Sequence, residues 1–175
     1  MIFESFEAKD HKTAALKIAE EWNIDSEKTS GNPPGSRQLG ILFYGPAGSG
    51  KTHLACAILN RQISLGTFGY FLPTTRIPKE NTDAIERLSD PDEIPLLILD
   101  DLGAEKSTDR ALECLYSIID GRIWNKAPMI VTTNYKPTKE LSSRFGSEYG
   151  DRIASRLQHA CLSVPVGGVD MRMQR

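Results

Sequence analysis

Gly45-Pro46-Ala47-Gly48-Ser49-Gly50-Lys51-Thr52 matches the spacing G-x-x-x-x-G-K-[ST] at every position. That pattern suits the cradling of phosphate. Glycines let the backbone turn sharply and approach an anion with no side chain between them. The amide N–H groups then converge at the start of a helix, where the helix dipole adds to the attraction. In such a loop Lys51 reaches the β- and γ-phosphates and the Thr52 hydroxyl holds magnesium. His53 follows directly, and residues 45–53 form the candidate nucleotide-binding segment. The alternative is a glycine-rich strand–helix turn with no ligand. Context favours the phosphate loop, because an apolar run at 41–44 precedes it and Leu54, Ala57 and Ile58 mark a helix face after it.

A second feature, the acidic pair Asp100-Asp101, follows the run Leu96-Leu97-Ile98-Leu99. Asp100 is expected to face magnesium, directly or through water, as a hard cation prefers. Asp101 is expected to polarise the water that attacks the γ-phosphate. In a parallel sheet this strand can lie beside the one that feeds the loop, which would place both carboxylates there. The alternative is a strand ending in a polar turn, Asp-Asp-Leu-Gly. Thr132-Thr133-Asn134 follows Met129-Ile130-Val131. The Asn134 amide can orient the lytic water or contact the γ-phosphate, although an Asn that begins a turn is the commoner case. Arg152 and Arg156 stand four apart on one helical flank, with Ile153 and Leu157 inward. Two guanidiniums there suit a neighbouring subunit's phosphate. Spacing alone slightly favours a solvated flank with Asp151 as a weak partner. Arg172 and Arg175 sit in a polar tail and are expected to be exposed. The histidines show no metal-ligand spacing.

The elements must place these groups together. A helical pattern covers 10–22, with Ala15, Ile18, Ala19 and Trp22 on one face, and a breaker-rich loop covers 26–36. Strands are expected at 41–44, 67–72, 96–99, 129–132 and 162–166. Helices are expected after the loop, near 84–88, at 111–124, near 138–145 and near 151–160. Strands alternating with helices predict an α/β fold with a parallel sheet covered on both faces. Ligands on such sheets bind at the carboxyl ends of strands, where the motifs lie.

The length of 175 residues suits one domain. A net charge of −2 gives no bulk attraction for nucleic acid or an anionic membrane. Cys56, Cys114 and Cys161 lack disulfide or metal spacing, as expected for core thiols in a reducing cytoplasm. The first residues lack an apolar signal segment, and no run reaches membrane-spanning length.

GPAGSGKTHLA, LLILDDLGAEKSTD, ALECLYSIIDGR, MIVTTNY and DRIASRL, in this order, resemble the ATPase domain of bacterial replicative helicase loaders of the DnaC/DnaI type. Those are P-loop NTPases of the AAA+ type, close to the IstB transposition ATPases. The resemblance runs from about residue 3 to residue 172. It implies a five-stranded parallel AAA+ core with little or no C-terminal lid. The implied layout is an N-terminal helix and loop at 1–38, a core at 39–166 and a tail at 167–175, with the upstream partner-binding domain absent from this chain. It maps Lys51 and Thr52 to Walker A, Asp100 and Asp101 to Walker B, and Asn134 to sensor I. Arg156 maps to the arginine finger with Arg152 as its neighbour, and Arg172 to sensor II. The implied cofactors are ATP/ADP and Mg2+. The implied partners are a hexameric replicative helicase, single-stranded DNA and further copies of this chain assembled by ATP.

Three departures shape that expectation. Asp101 stands where these enzymes often carry Glu, which predicts slow hydrolysis. The chain begins at the ATPase domain. The stretch 73–93, which helps grip DNA in loaders, holds only Arg76, Lys79 and Arg87 against several acidic residues. A transposition helper or a nucleotide-gated adaptor with negligible turnover are the alternatives. A small-molecule kinase would need an arginine-rich lid, which 73–93 lacks.

Overall fold

A computed structural model describes residues 13–24, 38–77, 82–104 and 108–167. Within them the strands are β1 (Gly40–Tyr44), β2 (Gly69–Pro73), β3 (Leu96–Leu102), β4 (Met129–Thr133) and β5 (Cys161–Pro165). The helices are α1 (Thr13–Glu21), α2 (Lys51–Ser64), α3 (Thr82–Ser89), α4 (Asp109–Trp124), α5 (Lys139–Phe145) and α6 (Glu148–Ala160). The expected loop at 26–36 and the tail beyond 167 lie outside the described residues, as does the start of the first helical pattern at 10–12.

The strands form one five-stranded parallel sheet in the order β2-β3-β4-β1-β5. Their near-continuous apolar runs follow from cover on both faces. Ile41, Phe43, Leu96, Ile98 and Ile130 pack with Ala15, Ala19 and Trp22 of the α1 segment and with Leu54 and Ile58 of α2. Leu42, Leu97, Leu99 and Val131 pack on the other face with Leu112, Leu115 and Ile119 of α4 and Leu157 of α6. Alternation along each strand sends neighbours to opposite layers.

Strand order corrects one expectation. β3 does not lie beside β1, because β4 pairs with both and sits between them. The chain leaves β1 for the far edge, lays down β2, and returns one strand at a time through α3 and α4. β1 is followed by α2 on one face, whereas β4 is followed by α5 and α6 on the other. The crevice between β1 and β4 is therefore the topological switch point, where α/β sheets bind ligands.

β3 is also longer than the apolar run, and Asp100 and Asp101 belong to it instead of following it. The cysteines divide as well. Cys114 and Cys161 are buried, but Cys56 is only partly so. Burial pushes the Cys161 thiol up to about 12. The two tryptophans differ most: Trp22 is 5% exposed and Trp124, at the end of α4, is 85% exposed. Among the described residues no helix is long and apolar enough to cross a membrane.

Arg122 of α4 is fully buried. Its Nη1 donates to Leu88 O at 2.7 Å, and its Nη2 donates to Pro128 O at 2.6 Å and Ile94 O at 3.0 Å. The guanidinium thus ties the end of α3 to the entrances of β3 and β4. Burial draws it down to about 10 while Asp90 acts the other way, so it stays charged at neutral pH. Arg122→Met is expected to destabilise the fold by about 3 kcal/mol, because the buried carbonyls lose their donor. Denaturant unfolding checks this. A loss below about 1 kcal/mol would show that another donor satisfies them.

Candidate functional site

β1 stops at Tyr44, and the next residue needs glycine for a physical reason. Gly45 has φ 148°, and a Cβ there would stand 2.2 Å from Val166 O. Gly48 and Gly50 have φ 73° and 99°, both in the left-handed region. Gly50 is the N-cap of α2 and supplies no side-chain cap. The amides that open α2 therefore receive no side-chain acceptor from the cap, and this end of the helix favours an anion. Ser49 is fully buried, and its hydroxyl has no hydrogen-bond partner among the described residues.

The Lys51 ammonium is drawn into the same place. It donates to Gly45 O at 2.9 Å, to Pro46 O at 2.8 Å and to Asn134 Oδ1 at 2.8 Å. Thr52, the next residue on α2, donates its hydroxyl to Asp100 Oδ1 at 2.8 Å. The helix makes this contact across the top of β4, so the intervening strand does not separate the loop from the acidic pair. Asn134, just after β4, links both sides: its Nδ2 donates to Asp101 Oδ1 at 3.3 Å. Lys51, Thr52, Asp100, Asp101 and Asn134 are thus brought together by β1, α2, β3 and β4.

Thr132 joins them and was not singled out from the sequence. Its hydroxyl donates to Asp100 Oδ1 at 2.7 Å and accepts from Asp101 N at 2.9 Å. The only hint was its place in Thr-Thr-Asn at the end of a buried strand. His53 lies partly buried in the first turn of α2. Pro46 and Ala47 shape the exposed tip of the loop.

The donor set fits a polyphosphate: backbone amides, one ammonium and hydroxyls converge at a helix start. Thr52 and Asp100 are the pair that would hold Mg2+. Among the described residues no group of three or more His, Cys, Asp or Glu could hold a metal. Magnesium does not need one, since it takes one or two carboxylates and completes its shell with water and phosphate.

The arginines stand apart from the loop. Arg156 Nε pairs with Asp120 Oδ1 on α4 at 2.9 Å. A hydrogen bond with Tyr116 and the Asp120 charge raise its pKa. Arg152 pairs with Glu148, one turn earlier on α6. Asp151, the expected partner, instead accepts from Ser142, because α5 packs closely there. Leu39, Tyr116, Ile123, Arg152, Arg156 and His159 line an open groove between α4 and α6. Arg172 lies outside the described residues.

Residues 36–175 match the model of the IstB-like ATP binding protein family, IstB_IS21. The chain belongs to that family. This IstB-like chain is 28% identical over 172 residues to the uncharacterised protein YqaM of Bacillus subtilis, covering 92% of the chain and 52% of YqaM. It is 26% identical over 121 residues to the replicative helicase loader DnaC of Escherichia coli, covering 65% of the chain and 49% of DnaC. The IstB-like chain thus spans about half the length of the curated relatives it matches. A crystal structure of DnaI superposes with a TM-score of 0.73 at 18% identity, covering 97% of this chain and 89% of that one. At that identity the likeness shows the fold, which is of the AAA+ P-loop type.

Proposed function

We propose that the chain is a slow ATPase whose nucleotide state controls its self-assembly and its hold on a hexameric replicative helicase. The observation that supports this best is Asn134, which touches both the loop lysine and the second carboxylate of β3. The loop amides of residues 45–53 and Lys51 bind the phosphates, with Arg172 reading the nucleotide from the tail. Thr52 and Asp100 would hold Mg2+, which would supply charge neutralisation on the phosphates. Asp101 accepts a proton from the attacking water, and Asn134 orients that water against the γ-phosphate. Arg156, with Arg152 beside it, meets the charge that develops on a neighbouring copy's phosphate.

The similarity to the replicative helicase loader DnaC supports a helicase as the partner; single-stranded DNA as a further ligand and a cytoplasmic location belong to the same proposal. The IstB family match supports a second reading, in which the same core assembles on DNA as a transposition helper. The Asp at 101 also leaves room for an adaptor with negligible turnover. Size measurement by light scattering, with and without ATP, magnesium, single-stranded DNA and the host's replicative helicase, separates these. ATP-dependent association with the helicase is the expected result. If ATP produces neither self-association nor helicase binding, the loader reading fails. DNA-stimulated oligomers that ignore the helicase would select the transposition helper.

A further inference from the structure

Asp101 has φ 58°, in the left-handed region that a non-glycine residue rarely adopts. Such a conformation costs about 1 kcal/mol or more and persists only where the surroundings enforce it. The cause lies in the ladder. Leu99 pairs with Val131 and Leu102 with Thr133, so Asp100 and Asp101 together oppose Thr132 alone. This is a β-bulge, with one extra residue on β3. In an unbroken strand Asp101 would share the face of Leu97 and Leu99, against the buried layer under α4. A carboxylate there would be costly. The bulge gives that place to Leu102, which is fully buried, and leaves Asp101 exposed beside Asn134.

Two threonines pin this turn from the strands on either side. Thr132 of β4 accepts from the Asp101 amide. Thr74, immediately after β2, donates its hydroxyl to the Asp101 carbonyl at 3.0 Å, and the same carbonyl takes the Ala104 amide. Both threonines are 1% exposed, so water does not compete readily for either hydroxyl. Thr132 also binds Asp100, which couples the bulge to the carboxylate that faces Thr52. We propose that Thr74 and Thr132 are positioning residues that hold the Asp101 bulge, and with it the carboxylate that acts on water. Thr74 meets Asp101 at its carbonyl and lies outside the nucleotide-binding segment, so its effect is expected to fall on turnover and not on nucleotide binding.

This rests on the proposed role of Asp101, and the test separates the two. ATP turnover, nucleotide affinity by calorimetry and thermal melting are measured for Thr74→Val, Thr74→Ser, Asp101→Asn and the double variant Thr74→Val/Asp101→Asn. Thr74→Val removes the hydroxyl at nearly constant shape. It is expected to lower turnover about tenfold, the scale of one lost buried hydrogen bond, while affinity stays within about twofold. Thr74→Ser is expected to restore the rate, and Thr74→Val is expected to add nothing once Asp101 is Asn. Full turnover in Thr74→Val, with Asp101→Asn inactive, overturns the clamp and leaves Asp101 in its role. Unchanged turnover in Asp101→Asn overturns both. Affinity falling in step with turnover in Thr74→Val shows a merely structural threonine and also overturns the proposal. If Thr74→Val does not fold, Thr74→Ala carries the same comparisons.

Discussion

Arg156→Ala is expected to leave ATP affinity unchanged and to lower turnover about 1,000-fold, at protein concentrations that permit self-association. An arginine supplied from a neighbour is worth that much or more in phosphoryl transfer, because it meets charge that appears only in the transition state. The geometry suits such a role. Asp120 of α4 pairs with the guanidinium at 2.9 Å, in the open groove that Tyr116 and Arg156 line together. The pair is half-exposed, so its loss should barely alter folding stability. A steady-state assay across protein concentration checks the first claim, and melting checks the second. Mixing gives a sharper check. Copies with Lys51→Ala keep Arg156 but lack the phosphate grip, and copies with Arg156→Ala have the converse defect. A mixture should recover activity that neither has alone. An equal loss in dilute monomer, with no recovery on mixing, would place Arg156 in cis.

Lys51→Ala is expected to weaken ATP binding about 1,000-fold, which corresponds to about 4 kcal/mol. The ammonium would otherwise make charge-assisted bonds to two phosphates. The same substitution acts on the nucleotide-free protein, since Lys51 holds Gly45 O, Pro46 O and Asn134 Oδ1. The free protein should therefore lose about 1 kcal/mol, and Asn134 should lose its tie to the loop. Calorimetric titration and melting with and without nucleotide read the two effects separately. Retained affinity would refute the cradle.

Element types were legible because apolar runs and helical faces repeat with clear periods, as at 41–44 and 111–124. The loop was legible because its chemistry is local: glycines and the lysine act within eight consecutive residues. Strand order was not. Periodicity carries no information on neighbours, so β4 between β1 and β3 appeared only in the structure. The bulge was hidden for another reason. Asp is depleted in strands, so Asp100-Asp101 reads as an ending, whereas three threonine and asparagine side chains from distant positions keep it in the sheet. Arg122 looks like a solvated residue on a helix. Its burial depends on carbonyls of separate loops that no window around it contains.

The contrast between Trp22 and Trp124 gives this protein a built-in optical reporter. Indole emission from the buried ring should shift only when the α1–α2 layer comes apart, whereas the ring at the end of α4 is open to collisional quenchers such as acrylamide. A fall in quenching without a shift in the buried component would therefore signal that something has covered the α4 end of an intact molecule. Denaturation would move both components together, so a single fluorometer trace can tell docking from damage.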